Sequence, residues 1–286
     1  MRSFPPLPDA RGSQAPDDLF EGHLWILELV GGTGLRFRMD DSGLLRFGGP
    51  DATYADAGAV PLALRPAVRH VRDRFDREAL RAAVDDPESV VFFGVAAGHR
   101  GTGYDWDRLP PFLGTDVWIG SAGASGSGSF RPPDAAAAIF EGVGLEPVNA
   151  VDREVNARDF DPDAYAVPAS AWRDGPAAGV VVRNKRGGRG RLLAEHAESS
   201  ADEDARELDD SAAVAASYAT DDRFERVVAD LDRRGERATV DAVADRIVES
   251  IARETPVRFG DGGGSADADR VRAAVVERAR GVLDGR

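Results

Sequence analysis

Glu28-Leu-Val-Gly-Gly-Thr-Gly-Leu-Arg-Phe37 decides how this chain is read. The segment leading into it, His23-Leu-Trp-Ile-Leu-Glu28, is apolar enough for a buried strand. Leu35-Arg-Phe-Arg-Met39, which follows, alternates as a half-buried strand does. The three glycines in between give the backbone the freedom a turn needs. Asp40-Asp-Ser-Gly43 then reads as a hairpin turn into a third strand, Leu44-Leu-Arg-Phe47.

Working outward, residues 65–84 place Val68, Val71, Phe75, Leu80 and Val84 on one face at helical spacing. Ser89-Val-Val-Phe-Phe-Gly94 and Phe112-Leu-Gly-Thr-Asp-Val-Trp-Ile119 are expected strands, and Ser121 to Ser129 a Gly/Ser surface loop. A short helix begins at Pro133, with Gly144 suited to cap its C-terminal end. Gly179-Val-Val-Val-Arg183 reads as a central strand. It runs into Asn184-Lys-Arg-Gly-Gly-Arg-Gly-Arg191, expected to be a basic loop suited to phosphate. Residues 1–20, rich in Pro, Asp and Ser, form an irregular lead-in. Residues 195–210 are an acidic linker or exposed helix start. Beyond them lie three helical stripes: Phe224, Val227, Val228 and Leu231; Val240, Val243, Ile247 and Ile251 behind an N-capping Thr239; and Val271, Val275 and Val282. The expected architecture is α+β: a domain of antiparallel sheets with flanking helices over 21–194, then a small helical C-terminal domain within 195–286.

The net charge is −14, and Lys185 is the sole lysine among 36 basic residues. Dispersed acidity with arginine in place of lysine resembles the habit of proteins from salt-loving archaea, where a charged surface keeps the chain soluble. Overall acidity does not exclude a nucleic-acid ligand, because local patches decide contact. The absence of cysteine rules out disulfides, thiolate catalysis and Cys-type zinc sites. No run of 18 apolar residues suggests a membrane partner, and the first residues lack an apolar signal core, so a cytoplasmic location is expected. His23, His70, His99 and His196 show no metal spacing, and His70 reads as structural or exposed. Asp105 and Asp107 flank Trp106, a pairing common on surfaces. Gly260-Asp-Gly-Gly-Gly-Ser265 lacks the Lys-Ser/Thr of a phosphate loop and reads as a flexible connection. The four tryptophans read as core or near-core residues.

Three segments, in order, resemble motifs of the ATP-dependent RNA ligases, a family of the covalent nucleotidyltransferases. The first family motif is Lys, any residue, Asp or His, Gly, Ser/Thr or Ala, Asn, then a strand with Arg and Phe. Gly32, Thr33, Leu35, Arg36 and Phe37 fit it, but Leu29 stands at the lysine, Gly31 at the acid or His and Gly34 at the Asn. The second motif is Phe-Gly-Glu, a tyrosine-rich segment and Phe-x-x-Phe-Asp-Ile/Val. Phe93, Gly94, Tyr104, Phe112 and Asp116 fit it, while Val95 replaces the glutamate. The third is Glu-Gly-Val-Val-Ile/Val-Arg/Lys followed by a basic pair. Gly179 to Arg183 fit, Ala178 replaces the glutamate, and Arg189 and Arg191 stand at the basic pair. The resemblance covers residues 21–194.

That resemblance implies a nucleotidyltransferase scaffold for ATP or AMP with Mg²⁺, contacted by Gly32, Arg36, Gly94, Arg183 and Arg191. It also implies a catalytically degenerate member of haloarchaeal type, with no catalytic residue and no metal ligand. In the family the lysine attacks the α-phosphate of ATP and carries AMP. Leu29 has no nucleophilic atom, and Val95 and Ala178 have no oxygen ligand. Lys185 is expected on a loop as a surface residue or a phosphate contact. The leading reading is an RNA-ligase-like protein without lysyl-AMP chemistry that binds nucleotide, RNA ends or an active ligase paralogue. The alternatives are a ligase for pre-adenylated RNA, which needs no lysine nucleophile, and a non-enzymatic scaffold.

Overall fold

The computed structural model of the protein describes residues 1–120, 127–194, 211–260 and 266–284. They fall into two compact units. One holds residues 1–60 and 67–194; the other holds 61–66 and the described residues from 211 onward. The acidic stretch 195–210 and residues 261–265 of the glycine run lie outside the described residues.

The glycine turn closes no hairpin, and Gly32 to Gly34, expected within the turn, already pair as strand. The turn carries the chain from β1 (His23–Glu28) in one sheet to β2 (Gly32–Met39) in another. The first sheet has the order β7-β1-β8-β9, with β7 Ala150–Asn156, β8 Gly179–Asn184 and β9 Arg189–Leu193. The second has the order β3-β2-β4-β5-β6, with β3 Leu45–Gly48, β4 Val90–Ala97, β5 Phe112–Gly120 and β6 Gly128–Phe130. Every strand pair is antiparallel.

Strand alternation gives each sheet two distinct faces. On the outer face of the second sheet, Phe37 stacks on Phe92 at 4.9 Å between ring centres, and Phe75 and Phe112 meet it edge-on. Phe75 follows helix α1 (Arg65–Arg74), and Phe140, on α3 (Pro133–Gly142), packs against Phe92. On the outer face of the first sheet, Leu24, Ile26, Val180, Val182 and Leu192 are buried beneath Ala10, Leu19 and Ala157. The first twenty residues form no helix or strand, yet Leu19 has no exposed surface. The two remaining faces meet. Trp25, Leu27 and Val181 of the first sheet pack with Val95, Ala97 and Leu113 of the second.

Four local expectations are corrected. The helix expected over 65–84 is two, α1 and α2 (Arg77–Ala83), because the Asp76 carboxylate accepts from the Glu78 and Ala79 N–H groups and starts a new helix. Of the expected loop at 121–129, Gly128 and Ser129 pair with β5 as part of β6, and 121–126 lie outside the described residues. The expected basic loop is a hairpin whose second strand, β9, holds Arg189 and Arg191. Strand β7 has no counterpart in the expected elements; its charged Ala-Val-Asp-Arg-Glu-Val-Asn lies at a sheet edge.

The second unit contains α4 (Ser211–Tyr218), α5 (Asp221–Arg233), α6 (Val240–Glu254) and α7 (Ala268–Asp284). The three sequence stripes meet in one core of Phe224, Val228, Leu231, Val243, Ile247, Ile251, Val271 and Val275. Thr239 caps α6 by accepting from the Ala242 N–H.

Candidate functional site

The space between the two sheets has an apolar end and an arginine end. The glycine turn stands at the apolar end. Leu29 donates its backbone N–H to the Gly179 carbonyl at 3.0 Å, which fixes the turn on β8. The Gly31 N–H donates to the Tyr104 hydroxyl at 2.8 Å. Burial, then the nearby Glu28 carboxylate, pushes the Tyr104 pKa up, so this phenol stays protonated. Val95 pairs with Gly34 across the β2–β4 ladder, and its side chain packs toward Gly32, where any Cβ would strike it and the Ala96 carbonyl. Ala178 is buried at the start of β8. The three positions at which the sequence resemblance expects ionisable groups thus present Leu29, Val95 and Ala178.

A carboxylate does stand beside the turn. Glu28 is buried, accepting from Ser170 Oγ at 2.5 Å, Asn149 Nδ2 at 3.0 Å and the Ala171 N–H at 3.1 Å. These bonds anchor the segment around residue 170 to the turn. The sequence signal was an acid closing an apolar strand, and the expected site residues did not include it.

Asp116 dominates the arginine end. Its Oδ1 lies 2.9 Å from Arg183 Nη2 and 2.6 Å from Arg189 Nη1. All three side chains are buried, so two guanidinium groups share one carboxylate in a low-dielectric setting. Burial alone would raise the Asp116 pKa. The charges of Arg183 and Arg189, with hydrogen bonds from Arg189 and Thr115, outweigh it and hold the group below its ordinary 3.8. Arg183 also donates to the Thr115 carbonyl at 2.8 Å, and its Nε finds no partner. Arg189 lies 5.1 Å over the Phe130 ring. Arg191 projects from the same face of β9 as Arg189 and is exposed.

Arg36 completes this end from β2. It is only 6% exposed, and its Nε and Nη1 have no hydrogen-bond partner. Its guanidinium lies 5.5 Å from the Phe4 ring centre, and that ring meets Phe93 edge-on at 5.1 Å. An orphaned buried cation beside an aromatic slot suits an anionic ligand with a planar ring.

The expected contact residues therefore divide. Gly32 and Arg36 line the space between the sheets, and Arg191 projects from the facing side of the edge strand β9, exposed. Gly94 does not: its missing Cβ makes room for the Phe112 ring on the opposite, aromatic face. Arg183 faces the interior but is spent on Asp116 and the Thr115 carbonyl. Lys185 lies in the turn after β8, paired with Glu154 Oε1 at 2.7 Å and Asp134 Oδ2 at 3.2 Å. Glu154 sits at φ 58° in a β7 bulge, from which Oε1 also accepts from Trp25 Nε1. Hydrogen bonds to Glu154 and Asp134 raise the Lys185 pKa, the opposite of what an amine nucleophile needs.

The donor set fits a nucleotide better than a metal. Among the described residues no group of three or more His, Asp or Glu side chains is placed to hold an ion. The two buried carboxylates of the sheet unit, Glu28 and Asp116, are each bonded to protein donors.

Neither a protein-family model nor a curated protein matches the chain. Solved structures do. A Naegleria gruberi RNA ligase mutant with ATP and Mn superposes at a TM-score of 0.51 and 12% identity, covering 70% of this chain and 58% of that one. Two forms of an archaeal ATP-dependent RNA ligase align over 98% and 100% of this chain and 63% and 67% of theirs, at 16% and 15% identity and TM-scores of 0.46 and 0.47. The fold is RNA-ligase-like. It is an α+β arrangement of two antiparallel sheets with flanking helices, in a chain that also carries a helical unit. No helix among the described residues is long and apolar enough to cross a membrane.

Proposed function

We propose that this chain is a catalytically degenerate RNA-ligase-like protein that binds a nucleotide or a nucleotide-bearing RNA end and forms no lysyl-AMP. The reading rests on one observation above the rest. The turn that should present the nucleophile presents Leu29, while the sole lysine is tied to Glu154 and Asp134. Arg36, Arg189 and Arg191 supply positive charge for phosphate, and Phe93 and Phe130 supply ring faces for a base. With Val95 and Ala178 in place of glutamates and the remaining buried carboxylates occupied, binding proceeds without a divalent metal.

Calorimetry with AMP and ATP in molar salt tests this. Saturable binding is expected, unchanged by EDTA and abolished by Arg36→Met with Arg191→Ala. Heats that appear only with Mg²⁺, or that survive both substitutions, contradict it.

A further inference from the structure

The arginine end already has an occupant from the same chain. Phe4 fills the room left by Gly34, where an added Cβ would lie 2.9 Å from the ring. Its edge meets Phe93, and its ring partners Arg36, whose Nε and Nη1 have no other partner. Two residues earlier, the Arg2 guanidinium lies 5.5 Å over the Trp118 ring.

The attachment is uneven along the segment. At its base, the Arg191 N–H donates to the Pro8 carbonyl and the Ala10 N–H donates to the Arg191 carbonyl, both at 2.8 Å. This short parallel bridge lies along β9, at the residue placed above as an exposed phosphate contact. Residues 1–7 make no hydrogen bond among the described residues; their tip is held by ring and cation–π contacts. Such contacts are each worth roughly a few-fold to tenfold in an equilibrium. Pro5, Pro6 and Pro8 stiffen the stretch, so it moves as a unit about its anchored base. A cavity of about 820 Å³ lies between the segment and Phe130, Gly187 and Arg189.

We propose that residues 1–8 are an intramolecular gate on the nucleotide site, with Phe4 holding the place of a base against Arg36 and Phe93. This rests on the nucleotide-binding reading above. A ligand with a planar ring and a phosphate must displace the Phe4 ring, and displacement exposes the free Arg36 N–H groups to it.

The test measures AMP affinity by calorimetry for the parent chain, Phe4→Ala and Phe4→Leu. In parallel, a nitroxide is placed on Ser3→Cys, a unique cysteine because the chain has none. Phe4→Ala should bind AMP about tenfold more tightly, with Phe4→Leu between it and the parent. Saturating AMP should convert the label from slow to fast motion. Equal affinities in all three chains, with a label AMP does not mobilise, would overturn the gate and leave nucleotide binding standing. No binding by any of the three would overturn the nucleotide reading and the gate with it. The label measurement needs no change at Phe4, so it stands even if that variant folds poorly.

Discussion

The two ends of the intersheet space are built from opposite materials on one pair of sheets. At the apolar end, Val30, Val95 and Val181 close against Trp25, Leu27 and Leu113. At the other, Arg183 and Arg189 share a single carboxylate, Asp116, and Arg36 stands without a hydrogen-bond partner. A nucleotidyltransferase needs ionisable groups at both ends: a nucleophile with carboxylates, and cations for the phosphates. On the function proposed above, the first set has become packing and the second is kept. Loss of chemistry and loss of ligand contact are therefore separable, and each end can be perturbed alone.

Breaking the carboxylate has the largest expected effect. Asp116→Asn leaves two buried guanidinium groups without a counter-charge and should cost about 3–5 kcal/mol in denaturant unfolding. The pH dependence carries the same sign. The folded pKa of Asp116 is depressed, so its contribution is fully present above its ordinary 3.8 and is lost as pH falls through the lower folded value. Acid unfolding below about pH 4 should therefore be steeper in the parent than in Asp116→Asn.

Reversing the apolar end comes next. Val95→Glu introduces the residue type that the resemblance expects but places a carboxylate against packed side chains. It should destabilise by about 1–3 kcal/mol with no gain of metal-dependent nucleotide binding, read by thermal shift with Mn²⁺. Arg36→Met sharpens the contrast, because Arg36 is buried and makes no protein hydrogen bond. Its removal should leave stability within about 1 kcal/mol of the parent, or raise it, while AMP binding disappears. Smallest of all, Lys185→Met removes exposed ion pairs to Glu154 and Asp134 and should leave the melting temperature unchanged within error.

The framework was legible in the sequence where a residue's job is local. The valine strand and the three C-terminal helical stripes each follow from spacing, and each formed. The break at Asp76 was also local, since Asp is a favoured N-cap residue, a signal that the continuous apolar spacing concealed. Side-chain facing was harder. Gly94 and Val95 are neighbours, so strand alternation sends one to the aromatic core and the other to the intersheet space, and the motif alone does not say which face is which. Arg183 and Arg191 share one motif, yet the partner that buries the first, Asp116, is far away in the chain. The role of Phe4 is the least readable, because a Pro-rich opening segment gives no sign of the glycine it will cover. Strand β7 carries charges at a sheet edge, where an apolar signature is not needed.

One measurement bears most directly on the claim that this fold has kept its ligand contacts and lost its covalent step. The protein is incubated with labelled ATP and Mg²⁺ or Mn²⁺ in molar salt, then examined by intact-mass spectrometry alongside Leu29→Lys. The parent chain should carry no AMP under any condition, and any label on Leu29→Lys should map to residue 29. AMP linked to Lys185 of the parent chain would contradict the account, because it would show a nucleophile where the structure places a surface ion pair.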